Sequence, residues 1–402
     1  MPALAMIGTA RVVLGISGGI AAYKAADLAS KLVQLGATVD AILTVGAQEF
    51  VQPLTFEAIT KRPVHVGVFE PWTERSSGHV SLANEADILV VAPASGNTLA
   101  KLAVGMAGDM LGAVALSTHA PLLIAPAMEH GMFHHAATQG HFQTLRDRGA
   151  THVGPEHGRL ASGMMGDGRM AGVGTIVGAI RWVLGRGGAL AGRHIVITAG
   201  GTREPLDPVR YLGNRSSGQM GYALAQAAID RGATVTLITT VTALTPPYGA
   251  ATTRVETADE MEAAVKVAVR EADVLIMAAA VADFRPTNAA TSKMKKQEGQ
   301  AGLALQLERT PDILANACGE NLVKIGFAAE TEDLVENALK KLESKGLTMI
   351  VANDATATIG QAESTATILW RGKPPEQLGT MAKVDLAHEI MERLVILTAG
   401  DQ

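Results

Sequence analysis

Residues 193–224 read RHIVITAGGTREPLDPVRYLGNRSSGQMGYAL, and this stretch decides the fold of the second half of the chain. The apolar, β-branched run from Ile195 to Thr198 predicts a buried strand, and Gly200 and Gly201 end it in a loop where backbone N–H groups can approach a ligand closely. After a polar connection, Asn214, Ser216, Ser217 and Gly218 stand before a helix predicted to begin near Met220, whose positive end suits a phosphate or a carboxylate. Strand, glycine turn and helix recur in every doubly wound protein, so on its own the pattern fits a structural turn equally well.

Outward from this stretch, the same order occurs twice. RVVLGISGG at 11–19 parallels RHIVITAGG at 193–201, GATVDAILT at 36–44 parallels GATVTLITT at 232–240, and ADILVVAPAS at 86–95 parallels ADVLIMAAAV at 272–281. Each half reads as strand, glycine loop, helix and strand, followed by a buried strand ending in a polar loop. The expected fold class is α/β with two doubly wound domains and ligands at the carboxyl ends of the strands. The glycine-rich segment WVLGRGGALAGR at 182–193 reads as a short linker, which sets a boundary near Leu190 and domains at 1–190 and 191–402.

Composition agrees with two cores: the chain has 402 residues, of which 48% are hydrophobic. A formal charge of −5 provides no global attraction to nucleic acid or to an anionic membrane, so an anionic ligand has to be held by local positive groups. Cys318 is the single cysteine, which rules out an intrachain disulfide and a cysteine-based zinc site and fits a reducing cytoplasm. It is expected on a helix, buried and inert. Apolar runs such as Ile88 to Ala94 are of strand length, so no membrane span or signal peptide is expected.

The segments TAGGTREPLDPVRYLGNRSSGQMG at 198–221, AAAVADFRP at 278–286, KMKK at 293–296, TPDIL at 310–314, GFAAET at 326–331 and AND at 352–354 cover nearly the whole second half. Together they resemble the phosphopantothenate–cysteine ligase half of the bifunctional coenzyme A biosynthesis flavoprotein family. The resemblance implies a Rossmann-like, CTP-dependent ligase domain that turns 4′-phosphopantothenate into an acyl-cytidylate, releases pyrophosphate and lets the cysteine amine displace CMP. Lys293 is then implied in acyl transfer and phosphate binding, although a KMKK run alone reads as a solvated basic loop. Asn214 is implied to hold the acyl-cytidylate and its carbonyl. Met277, Ala278, Ala279, Asp283, Pro311, Asp312, Ile313, Leu314, Phe327, Lys341 and Lys345 carry over as CTP-contacting positions. Lys341 and Lys345, four apart on a helix, face the same way. Asp283 suits either the ribose or Mg²⁺ bound with phosphate oxygens, and the sequence leaves both open.

In the first half, GISGGIAAYK at 15–24, LTVGAQEFV at 43–51, PASGNT at 93–98 and PAM at 126–128 resemble the flavin-binding decarboxylase half of the same family, a flavodoxin-like domain. Ser17, Gly18 and Gly19 precede a helix and can cradle the FMN phosphate, and Thr44, Ser95 and Asn97 stand at other loop starts where polar contacts belong. A nicotinamide-dependent dehydrogenase is the competing reading. It lacks a G-x-G-x-x-G motif and has Thr44 where a ribose-binding acid is expected.

The family's catalytic histidine is matched by His79, in SSGHVSLANEAD. Two other positions depart from the pattern: Glu129, in PAMEHGMF, stands where the family has Asn, and Ser162, in RLASGMMGDGRM, stands where it has Cys. Gly108 stands in AGDML, where the family more usually has an acidic pair. A Glu set about 4 Å from a substrate carboxylate costs on the order of 1–4 kcal/mol unless one of them is protonated. A hydroxyl is also a far weaker acid than a thiol of pKa about 8.5. The expectation is therefore that flavin binding survives while decarboxylation is weakened, arrested or redirected, with a ligase carrying an inactive flavin scaffold as the alternative.

By resemblance, the partners are 4′-phosphopantothenate, cysteine and CTP, and the assembly is a homo-oligomer of flavin-domain trimers and ligase-domain dimers. His130, His134, His135 and His141 cluster after Glu129. The first two have zinc-compatible i, i+4 spacing if helical, but without HExxH or Cys ligands they are not read as a metal site. Met164, Met165 and Met170 flank a glycine-rich loop and read as flexible packing or a lid.

Overall fold

Six-residue runs such as Arg11–Ile16, buried from their second residue onward, form strands because both of their faces are covered. The structure is a computed structural model that describes residues 5–68, 78–295, 303–330, 332–354 and 363–399. Lys296 of the KMKK segment lies outside these residues. The chain divides between Leu184 and Gly185 into two compact units.

In the first unit, β1 (Arg11–Ile16), β2 (Thr38–Leu43), β3 (Ile88–Ala94), β4 (Leu122–Pro126) and β5 (Thr151–His152) make one parallel sheet in the order β2-β1-β3-β4-β5. This is the flavodoxin-like order, with its switch point between β1 and β3. Helix Ala22–Gln34 buries Ala22, Ala25, Leu28, Ala29 and Leu32, a stripe at helical spacing. Val13, Leu89, Val91 and Ile124 of the sheet pack with Leu99, Leu102, Met110, Leu111, Phe142 and Leu145 from three further helices. A separate antiparallel hairpin follows, β6 (Glu156–Arg159) with β7 (Met165–Arg169).

The second unit contains β8 (His194–Ala199), a short antiparallel pair of β9 (Arg203–Pro205) and β10 (Tyr211–Gly213), then β11 (Thr234–Thr239), β12 (Ala251–Arg254) and β13 (Val274–Met277). A second short pair, β14 (Phe284–Pro286) and β15 (Leu307–Arg309), precedes β16 (Val323–Glu330), β17 (Met349–Asp354), β18 (Glu363–Trp370) and β19 (Glu376–Ala382). The main sheet runs β12-β11-β8-β13-β16-β17-β18-β19, parallel as far as β17 and antiparallel for the last two strands. The repeated sequence order is thus a repeated spatial order, since β2-β1-β3 and β11-β8-β13 are arranged alike.

The linker segment packs onto the second unit. Leu190 is fully buried and its N–H donates to the carbonyl of Arg231 at 2.8 Å. A side chain at Gly188 would sit 2.5 Å from that same carbonyl oxygen, so glycine is needed there for the close approach. Cys318 departs from expectation: the helix Ile313–Asn316 ends before it, with Ala317 extended, and the thiol is exposed.

Candidate active sites

In the second unit, the loops leaving β8 and β13 are fastened to each other. Ala280 N–H donates to the Gly200 carbonyl at 2.7 Å, Ala279 N–H to Thr198 Oγ1 at 3.1 Å, and Ala282 N–H to Thr202 Oγ1 at 2.9 Å. Gly200 has φ +91° and Gly218 has φ +73°; a Cβ at Gly200 would meet Thr240 Oγ1 at 2.2 Å, and one at Gly218 would meet the Val241 side chain at 2.4 Å, so both positions need glycine. Helix Gln219–Ile229 then starts beside them with Gly218 as its N-cap.

At this edge of the sheet lies a cavity of about 730 Å³. Its lining includes Asn214, Met277, Ala278, Ala279, Asp283, Pro311, Asp312, Ile313, Leu314, Phe327, Lys341 and Lys345. The sequence reading assigned no role to Arg215, Arg309, Asn353, Ser364 and Lys383, which also line it. Ser364 arrives because β18 runs antiparallel, so its start lies where β17 ends. Lys383 opens helix Lys383–Ala399, and burial pulls its ammonium below the ordinary lysine range. Neither residue had a local sequence signal, because both reach the site only through the order of the last strands.

The cavity lining carries Arg215, Arg309, Lys341, Lys345 and Lys383 against Asp283 and Asp312, an excess of positive charge that fits a polyphosphate. Asp312 is occupied: it pairs with Lys345 at 3.0 Å and caps the helix it precedes through Ala315 N–H at 3.1 Å. Burial pushes its carboxyl up, but Lys345 and the cap hold it below the usual carboxylate range. Asp283 is exposed, and among the described residues no hydrogen bond or ion pair engages its carboxylate. Asn214 donates one amide proton to the Val281 carbonyl at 3.0 Å, which orients the side chain and leaves its other proton and its Oδ1 for a ligand.

Lys293 is exposed and is not among the residues that line the cavity. Its neighbour Met294 is tied by its backbone to Asp207 and Arg210, receiving a bond from Arg210 Nη2 at 2.8 Å and donating to Asp207 Oδ2 at 3.1 Å. The Arg210 guanidinium, with three backbone N–H groups, holds the Asp207 carboxyl far below the ordinary range.

In the first unit, Ser17 is buried at the β1/β3 switch point. Its hydroxyl donates to the Pro93 carbonyl at 2.7 Å and accepts from Ser95 N–H at 2.8 Å, joining the two loops. Gly18 lies so close to Gly46 that a side chain would meet its carbonyl oxygen at 2.6 Å, whereas a side chain at Gly19 would point into open space. Thr44 precedes helix Val45–Gln48, Ser95 caps helix Gly96–Val104, and Asn97 is exposed in that helix's first turn. No acidic side chain stands among these residues, so the cradle fits the phosphate of a flavin mononucleotide.

His79 is half-buried in the first turn of helix Gly78–Glu85. Glu129 precedes helix His130–His134, and Ser162 sits in the turn of the β6–β7 hairpin. The hairpin folds back so that Ser162 Oγ donates to Glu129 Oε1 at 3.2 Å. The fold-back is possible because β7 has glycines at 166 and 168: a Cβ at Gly168 would clash with the Met128 carbonyl at 2.1 Å, and one at Gly166 would press on His130. Asp167, between them, bonds to His157 at 2.9 Å and His134 at 3.0 Å, and those bonds keep its carboxyl below the ordinary range. Met164 and Met165 are exposed by the turn, whereas Met170 is core.

The sequence matches the Flavoprotein family over residues 2–185 and the family of the DNA/pantothenate metabolism flavoprotein C-terminal domain over residues 190–397. It is 41% identical to the coenzyme A biosynthesis bifunctional protein CoaBC of Bacillus subtilis, across 98% of both chains. It is also 41% identical to the protein of that name from Escherichia coli, across 86% of both. A crystal structure of the C-terminal domain of a CoaBC protein matches 53% of this chain and 98% of that one, with 39% identity and a TM-score of 0.46. Among the described residues no helix is long and apolar enough to cross a membrane. Because relatives match through both halves, neither a dehydrogenase nor a ligase with an idle flavin scaffold is favoured. The chain belongs to the family of bifunctional coenzyme A biosynthesis flavoproteins, which pair phosphopantothenate–cysteine ligase and phosphopantothenoylcysteine decarboxylase activities in one polypeptide.

Proposed function

We propose that the second unit joins cysteine to 4′-phosphopantothenate using CTP and Mg²⁺, and that the first unit, with FMN, decarboxylates the product to 4′-phosphopantetheine. The observation that carries the reading is a positively lined cavity at the carboxyl edge of β8 and β13, where Asn214, residues 277–283, residues 311–314, Phe327, Lys341 and Lys345 meet. The triphosphate lies against Lys341, Lys345 and the other cavity cations. Asp283, whose carboxylate has no partner among the described residues, would hold the Mg²⁺ that neutralises the phosphates. Asn214 orients the activated carbonyl for attack by the cysteine amine. Lys293 stands outside the cavity lining, so its part in acyl transfer rests on the family motif.

For the first unit, FMN supplies the two-electron exchange with substrate. Gly18 and Gly19 would hold its phosphate, with Thr44, Ser95 and Asn97 around it; Ser17, whose N–H and hydroxyl both donate to the Pro93 carbonyl, ties the two loops together beneath them instead of binding the phosphate, and His79 would orient the substrate. The carbon that loses CO₂ takes up a proton. Ser162 Oγ–H delivers it, and Glu129, the acceptor of that hydroxyl, aligns the group that the family builds from Cys and Asn. The protein works in the cytoplasm as a homo-oligomer, with flavin-domain trimers and ligase-domain dimers.

Calorimetric titration tests the ligase reading. CTP with Mg²⁺ should bind at one site per chain, and Asp283→Asn and Lys341→Ala should each weaken it. Equal binding of CTP by both variants and the parent protein would overturn the assignment of this cavity.

A further inference from the structure

We propose that His130, His134 and Asp167 form a binding site for a divalent transition metal of the zinc type, and that the bound ion clasps the β6–β7 hairpin to the helix that follows Glu129. The two histidines are one turn apart on helix His130–His134, with ring centroids separated by 4.4 Å. Asp167 comes from β7 and brings Oδ2 to 3.0 Å from His134 Nε2. One ligand atom from each of the three residues lies within 4.8 Å of the others.

Two imidazoles and a carboxylate are a donor set that zinc accepts, and a tetrahedral ion with bonds of about 2.0–2.2 Å holds its ligand atoms roughly 3.3 Å apart. The His134–Asp167 pair already has nearly that spacing, so closing the site requires only a small approach by His130. That approach trades the bond His130 Nδ1 accepts from Asp167 N–H, at 3.1 Å, for a bond to the ion. His157 stands directly across the hairpin from Asp167 and hydrogen-bonds its other carboxylate oxygen at 2.9 Å. It thus orients the ligand from outside the coordination sphere, leaving the fourth position to water. The side chains of His134 and Asp167 are 49% and 36% exposed, so an ion can enter from solvent.

The ligands come from two segments that also carry Glu129 and Ser162. A metal bound there fixes the hairpin in the position that brings Ser162 to Glu129, which makes it a clasp rather than a participant in the chemistry.

The test is titration of untagged, chelator-treated, flavin-loaded protein with Co²⁺, read by the ligand-field bands of the four-coordinate ion and by metal analysis after dialysis. One equivalent per chain is expected, displaced by Zn²⁺. Affinity should fall at least tenfold in His134→Ala and in Asp167→Asn, and about tenfold in His157→Ala. An unchanged flavin spectrum shows that each variant is folded. Absence of saturable binding to the parent protein, or binding that survives both His134→Ala and Asp167→Asn, would overturn the proposal.

Discussion

In the second unit, the cavity gathers residues from the ends of neighbouring strands of one sheet and from the loops and helices that follow them. In the first unit, Glu129 and Ser162 lie on separate elements and meet only because a two-stranded hairpin folds back over the loop after β4. One site is built into the core and the other depends on a flap whose seating relies on Gly166, Gly168 and a few polar contacts. Changes to the strand-end site should therefore act on binding and chemistry without moving the fold. Changes to the hairpin should alter one activity and leave the other intact.

The largest separation of the two regions is expected from Asn214→Ala. Ligation should fall by about 10²–10³-fold, as for loss of one group stabilising a transition state, while decarboxylation of supplied 4′-phosphopantothenoylcysteine stays near the parent rate. Parallel loss in both assays would mean that the regions are not independent. Next, Ser162→Ala should slow decarboxylation by about 10²-fold with normal ligation, and Ser162→Cys should restore or exceed the parent rate. Steady-state assays of each half-reaction decide it, and a Ser162→Ala enzyme of full decarboxylase activity would remove the hydroxyl from the mechanism.

A smaller effect is a difference in acid stability. Both ring nitrogens of His152 are buried with no hydrogen-bond partner among the described residues, and burial, with help from Arg146, lowers its pKa to about 4. Its folded pKa lies below the unfolded value, so it favours folding at pH above about 6.5, and that contribution is lost as pH falls toward 4. The loss is on the order of 3 kcal/mol. Calorimetric scans from pH 7 to 4 should show the first unit's transition moving down well before the second's, and His152→Leu should abolish the shift. The smallest effect is expected for Lys345→Ala, which removes a cavity cation and the partner of Asp312. A rise of roughly tenfold in the KM for CTP, with little change in kcat, is the expected result, measured at fixed Mg²⁺.

The strand-end site was legible because its residues sit at fixed places in a repeating strand–loop–helix order: Thr198 to Gly201 and Met277 to Asp283 end adjacent strands, and their spacing in sequence follows from the topology. The positions of Lys383 and Ser364 were not legible, because they depend on β18 and β19 turning antiparallel, and neither residue bears a motif. Lys293 shows the opposite limit, since its motif is plain but it is not among the residues lining the cavity, and it is the backbone of its neighbour Met294 that the Asp207–Arg210 pair holds. At the hairpin, Glu129 and Ser162 were visible as substitutions, but no linear pattern revealed that they bond to each other. The helical spacing of His130 and His134 was visible too, whereas Asp167, the third member of that cluster, is supplied only by the fold of β7. Cys318 falls outside the expected helix because that helix spans only Ile313–Asn316 and the chain is extended at Ala317.

The most direct measurement is mass spectrometry of the product formed by purified, FMN-loaded protein from 4′-phosphopantothenate, cysteine, CTP and Mg²⁺. Conversion through to 4′-phosphopantetheine, with release of CMP and CO₂, is the predicted result and would establish that the Ser162–Glu129 pair sustains the second step. Accumulation of 4′-phosphopantothenoylcysteine under the same conditions would contradict it and leave the first unit without its proposed chemistry.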